Sequence, residues 1–373
     1  VILFWFQKLK LMEKQKLGLK YKDDFEQAIK YWETFWNGEI IDRPLLIISF
    51  SKDENKNING PSYLSGIDGD FEKPVKEFEN FCENTIFYAE SIPSLNISFG
   101  PDTISYFVKG ADKNVRIKSG TAWIEPFINN WENFEKIEID KEGEWYKKFL
   151  NFYKYASKKG DEKFLLQMPD FHTHLDLLRA IRGSENLCID LIERPDFIKK
   201  ILEETKNIFI DVYNEIYNST DMKKFGTTCW IPLYSEKKYC TIQCDFICMI
   251  SPEMFRKFAL PYIEYEANFL DYSIFHLDGP GALKHLDDLL SIKKLNAIQW
   301  VPGAGNKPHI YWIDLFRKII KAGKNVIIYP CSFEEIKVFH KELGPERIVY
   351  QPLWKVKNLK EAEKIRKYLV ENT

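Results

Sequence analysis

From about residue 160 onward, short apolar runs alternate with stretches in which apolar residues recur every three or four positions. Runs of the first kind predict buried strands, and stretches of the second kind predict amphipathic helices. Phe164–Met168 reads as a strand ending at Pro169-Asp170, and a long helical stretch follows, its stripe passing through Leu187, Leu191, Phe197, Ile201 and Ile208. Gly226–Trp230, Thr241–Phe246, Ser273–Leu277, Ala297–Val301, Val326–Tyr329 and Arg347–Tyr350 are the next strands. Helices are expected from Ser251 to about Leu270, over Trp312–Ala322 and Glu334–Leu343, and from Leu359 onward. Ser251-Pro252-Glu253 supplies a clear helix start: a capping hydroxyl, a proline in the first turn and an acid facing the positive end of the dipole.

Upstream, Leu45–Phe50 reads as a first strand, another is expected near residue 100, and the region from about 90 to 130 reads as an irregular insertion. Strand–helix alternation implies parallel strands joined by right-handed crossovers. About eight strands favour a closed (β/α)8 TIM barrel over an open sheet. The expected organisation is an N-terminal helical extension over residues 1–24 and one barrel domain over 25–373. The glycines at 279, 281, 303 and 305 form neither GxGxxG nor a P-loop, which removes the nucleotide-binding readings.

Composition narrows the picture. Hydrophobic residues make up 45% of the 373, enough for a large core and too many for disorder. Lys+Arg 53 against Asp+Glu 55 leaves a net charge of -2, so neither nucleic acid nor an anionic membrane is an expected partner. Seven cysteines, an odd number, point to reduced thiols and a cytoplasmic location. The apolar opening Val1–Phe6 is too short for a membrane span and lacks the charges-first order of a signal peptide.

In a barrel the chemistry sits at the carboxyl ends of the strands. Those ends carry Asp170 and His172, Cys229 and Trp230, Cys244 and Asp245, His276 and Asp278, Gln299 and Trp300, Tyr329 and Cys331, and Gln351. His276 and Asp278 are two apart on a strand and therefore share a face, as a metal pair or an acid–base pair requires. Asp245 is expected to move a proton or bind substrate. The other expected substrate contacts are Asp170, His172, Trp230, Gln299, Trp300, Tyr329 and Gln351, with the two tryptophans as pocket walls. If an ion is bound, His276, Asp278 and Cys331 are its expected ligands; Cys240, Cys244 and Cys248 lack a CxxC and read as small hydrophobes.

Four separated segments resemble the uroporphyrinogen decarboxylase superfamily: Gly38-Glu39 with Asp42-Arg43-Pro44; Arg182–Leu187 with Asp190-Leu191 and Glu193-Arg194-Pro195; Asp245 with Ile250–Phe255 and Pro261-Tyr262; and His276-x-Asp278-Gly279. The resemblance spans roughly residues 25–373 and implies a TIM barrel. That superfamily contains tetrapyrrole decarboxylases and corrinoid-dependent methyltransferases. The stretch after the first strand, Phe50–Asn55, lacks the decarboxylases' arginine-rich loop. The methyltransferases carry His-x-Cys and a later Cys on zinc; here Asp278 replaces the first Cys, and Tyr350–Trp354 contains none.

What the resemblance implies is a methyltransferase-like enzyme moving a methyl group between a small substrate and a corrinoid or pterin acceptor. Zinc and a partner protein carrying the corrinoid would accompany it, and a homodimer is compatible with it. The runner-up is a decarboxylase, and the rival of a different class is a non-catalytic small-ligand-binding barrel.

Overall fold

The computed structural model describes residues 17–56, 58–133, 136–352 and 356–373; the apolar opening, most of the expected extension and residues 353–355 lie outside them. Among the described residues there are thirteen strands: β1 (Leu45–Ser51), β2 (Thr85–Ala89), β3 (Ser94–Leu95), β4 (Val115–Lys118), β5 (Thr121–Ile124), β6 (Leu165–Met168), β7 (Thr227–Cys229), β8 (Tyr234–Ser235), β9 (Tyr239–Gln243), β10 (Tyr272–Asp278), β11 (Ala297–Val301), β12 (Asn325–Ile328) and β13 (Ile348–Tyr350). Six of them pair in parallel in the order β1-β13-β12-β11-β10-β9, with β2 antiparallel on the outer side of β1. A second parallel arc runs β3-β6-β7, with β8 antiparallel on β7, and β4–β5 form a hairpin in the insertion.

The architecture is α/β with a mostly parallel sheet, as the alternation implies. The backbone ladders describe two arcs and not one ring. Side chains bridge the seam between β7 and β9: Thr227 Oγ1 accepts from the Tyr239 amide at 2.8 Å, and Cys229 Sγ from the Thr241 amide at 3.5 Å. Near the other end, Glu90 accepts from the Leu46 amide at 2.8 Å and takes two bonds from the Arg43 guanidinium, at 2.8 and 2.9 Å. The Arg43 of the Asp-Arg-Pro segment thus has a structural partner.

A helix over Phe25–Asn37 covers the amino ends of the strands. Its buried face runs Phe25, Ala28, Ile29, Trp32, Phe35, Trp36, the spacing of an amphipathic helix. Trp36 stacks on Tyr272, with centroids 4.8 Å apart, and donates to the Tyr234 carbonyl at 2.7 Å. Asn325 donates to the Phe35 carbonyl at 2.6 Å. Tyr272 and Asn325 open β10 and β12, so this helix closes one end of the sheet and leaves the carboxyl ends for chemistry.

Three expectations change in detail. The strand near residue 100 is β3, and residues Thr103–Tyr106 form a helical turn instead. The long helical stretch is four helices, His174–Arg182, Ser184–Glu193, Pro195–Thr205 and Ile208–Ser219, broken where Gly183 takes φ +88 and where Pro195 starts a new first turn. Pro261 likewise divides the expected 251–270 helix into Pro252–Phe258 and Leu260–Phe269. No helix among the described residues is long and apolar enough to cross a membrane.

The Arg43–Glu90 pair is almost fully buried, with side chains 4% and 2% exposed. Removing one partner of such a pair leaves a charge without compensation, so Arg43→Ala should cost about 3–5 kcal/mol. Replacing both by apolar residues of similar size should recover most of that loss, as read from denaturant unfolding midpoints.

Candidate functional site

Strand pairing decides which side chains meet. In register, His276 of β10 lies between Gln243 of β9 and Gln299 of β11, while Leu277 is level with Trp300. Successive strand residues point to opposite faces, so His276, Asp278, Gln243 and Gln299 share one face. His276 Nδ1 meets Gln299 Oε1 at 2.5 Å. With a carbonyl oxygen as acceptor, Nδ1 carries the proton and Nε2 is left for another partner. Gln299 also interacts with Tyr329, which is half-buried. Trp230, following β7, sets its ring edge-on to His276 at 5.0 Å, and its own Nε1 has no partner.

The second half of the site comes from the segment after β6. His172 is 4% exposed, and its Nε2 lies 3.3 Å from Asp170 Oδ2. Its Nδ1 makes no hydrogen bond and lies 3.8 Å from Asp176 Oδ2, one turn further along. Asp176, fully buried, accepts from the backbone amides of Asp245 and Phe246, each at 2.9 Å. Those two bonds dock the turn after β9, Asp245–Met249, onto the helix His174–Arg182. His174 is held at φ +41, a strained conformation for a non-glycine residue, and its Nε2 lies 3.7 Å from Glu266.

The two halves meet at Asp245. His172, Asp176 and Asp245 bring potential ligand atoms within 4.8 Å of one another, and so do Asp245, His276 and Asp278. Asp245 is exposed on one side, but crowding by its neighbours and then the Asp176 charge push its carboxyl up to about 6, against the opposing pull of His172 and His276. Burial pulls His172 down, but Asp170, by charge and hydrogen bond, outweighs it together with Asp176 and Asp245, pushing the imidazole up to about 10.

Three expectations are corrected here, those for Cys331, Trp300 and Cys248. Cys331 belongs to neither ligand group among the described residues; its buried thiol points to the Ile328 carbonyl at 3.4 Å, burial pushes its pKa up, and Asp245 occupies the third place beside His276 and Asp278. Trp300 is fully buried and packs edge-to-face on Trp312 at 4.9 Å, so it is core and Gln299 alone faces His276. Gln351 is buried, and its backbone amide bonds Ile328. Cys240 and Cys244 are buried as small hydrophobes, whereas Cys248 is exposed.

Asp176 and Gln243 were not among the expected residues. The His172–Asp176 spacing of four at a helix start would have flagged the first. Arg182 and Asp190, which carry part of the family resemblance, form an ion pair at 2.7 Å that also receives Trp131 at 2.8 Å, a structural arrangement. A cleft of about 510 Å³ lined by Lys22, Arg43, Glu90 and Arg366 contains none of the cluster residues, and Lys22 and Arg43 are paired there with Asp24 and Glu90.

No family model and no curated protein matches the chain. Among solved structures, a methyltransferase from Methanosarcina mazei matches with a TM-score of 0.57 at 11% identity, over 92% of this chain and 98% of that one. Identity this low makes it a likeness of fold.

The two shifts carry the same sign in stability. Each raises a pKa on folding, so the native state holds the extra proton and stability falls as pH rises. In metal-depleted protein, wild type should lose ground to Asp245→Asn as pH rises from about 4 to about 6. Its advantage over His172→Gln should be full below about 6.5 and lost as pH passes about 10. Paired unfolding curves at stepped pH read both differences.

Proposed function

We propose that this protein is a methyltransferase-like enzyme acting at the mouth of a barrel formed by its two arcs, moving a methyl group between a small substrate and a corrinoid or pterin acceptor. One observation carries the reading: Asp170, His172, Asp176, Asp245, His276 and Asp278 converge at the carboxyl ends of β6, β9 and β10, on a fold like that of a known methyltransferase. Seven cysteines give no thiolate ligand set there, so a sulfur-bound zinc does not fit the donors present. Imidazole and carboxylate donors do fit a divalent cation that accepts nitrogen and oxygen. Asp245, His276 and Asp278 would hold it, and when bound it would lower the pKa of a group attached to it and polarise that group.

The chain's own residues do the rest. Gln299 fixes the tautomer and direction of His276. Asp176 fixes the backbone that carries Asp245, and Trp230 walls the mouth beside the imidazole. Among the described residues, no lysine or arginine forms an ion pair with Asp170, Asp176, Asp245 or Asp278. A polycarboxylate needs cationic donors, so the decarboxylase reading is the weaker one.

With methylcobalamin as methyl source and a set of small thiols and amines as acceptors, loss of the methyl–cobalt absorbance should be faster than in buffer. In His276→Ala it should slow by about 10²-fold or more. Turnover equal in wild type and variant would overturn the reading. Carbon dioxide release from small acids would favour the decarboxylase, and ligand binding without turnover the non-catalytic barrel.

A further inference from the structure

We infer that the mouth is built for two divalent cations bridged by Asp245, one held by Asp245, His276 and Asp278 and the other by His172, Asp176 and Asp245. The inference deepens the metal reading above and rests on it. Its geometric basis is that the two ligand groups are separate triads with Asp245 common to both. A carboxylate has two oxygens and about four lone-pair positions, enough to face two ions about 3.5–4 Å apart.

The imidazoles provide an independent reason. Metal-bound histidines characteristically donate their second N–H to an outer acceptor, which fixes the ring and leaves the other nitrogen for the ion. Both histidines here are set that way. His276 gives Nδ1 to Gln299 Oε1 at 2.5 Å, and His172 directs Nε2 to Asp170 Oδ2 at 3.3 Å. In His172 the remaining Nδ1 is buried without a hydrogen-bond partner, aimed at Asp176. A buried polar atom without a partner is costly, and an ion at that nitrogen would remove the cost. Asp176 spends two lone pairs on backbone amides and keeps others for coordination.

Charge points the same way. The four carboxylates Asp170, Asp176, Asp245 and Asp278 are gathered around two imidazoles, with no lysine or arginine ion-paired to them among the described residues. With both imidazoles as neutral ligands, one divalent cation would balance two of those four charges, and two would balance all four. The pair would neutralise the cluster without creating a surplus of positive charge for a polycarboxylate substrate. Nitrogen and oxygen donors suit zinc, manganese or ferrous iron.

The test uses the full chain, stripped with a chelator and titrated with manganese(II), with bound ions counted by equilibrium dialysis and inspected by electron paramagnetic resonance. Two ions per chain with a spin-coupled spectrum are expected. His172→Gln and, separately, His276→Gln should each leave one ion and an uncoupled spectrum. Asp170→Asn, which touches only the outer nitrogen of His172, should weaken the second ion about 10–100-fold and spare the first. A single ion in wild type, lost in His276→Gln and unaffected by His172→Gln, would overturn the bridged pair while leaving the proposed function in place. Two ions without coupling would also overturn it, and no binding at all would remove both readings. The wild-type count and spectrum decide the matter even if a variant fails to fold.

Discussion

The candidate site depends on one buried carboxylate. Asp176 has no exposed surface, and it can remain there only because backbone amides of the turn after β9 satisfy it. The same two bonds bring together chain segments about seventy residues apart: the loop carrying Asp170 and His172, and the turn carrying Asp245. Without that link the two ligand groups would have no reason to share a residue. The carboxyl pKa of Asp245 is raised first by desolvation and then by the charge of Asp176, to which its backbone is fastened.

Strand geometry provides the other half. Parallel register brings Gln243, His276 and Gln299 level, and alternation puts only every second residue of β10 and β11 on the face that carries His276. That is why Gln299 orients an imidazole while its neighbour Trp300 packs on Trp312. The helix Phe25–Asn37 completes the polarity by covering the amino ends with Trp36 and its hydrogen bond to Tyr234. That helix occupies the amino ends, so the carboxyl ends are the ones left open to the candidate cluster.

Much of this is legible in the sequence. Short apolar runs locate most of the strands, and the spacing of two puts His276 and Asp278 on one face of β10. What escaped depended on contacts between distant segments. Ring closure is a property of edges, and edge pairing leaves little trace in a local pattern. Cys331 follows a strand as a ligand would, yet its thiol turns to Ile328. Asp176 lies inside an amphipathic helix, where an acid ordinarily reads as a solvated position; only the partners brought by β9 make it central. The family resemblance, too, mixes roles, since Arg43, Arg182 and Asp190 serve packing while Asp245 and His276 join the cluster.

The two imidazoles of the cluster are not equivalent, and the difference bears on any division of labour between them. His172 rests on a carboxylate, Asp170, and is enclosed by protein; His276 rests on a neutral amide, Gln299, and is only half-buried beside Trp230. A carboxylate behind an imidazole adds negative charge and makes the ring a stronger donor, whereas an amide only sets its direction. An enclosed, strongly held ring is suited to a fixed structural task. The more open ring, with a tryptophan edge next to it, is the one a substrate can approach. On the proposed reading, the His172 side would anchor and polarise the shared Asp245, and the His276 side would face the transferred group.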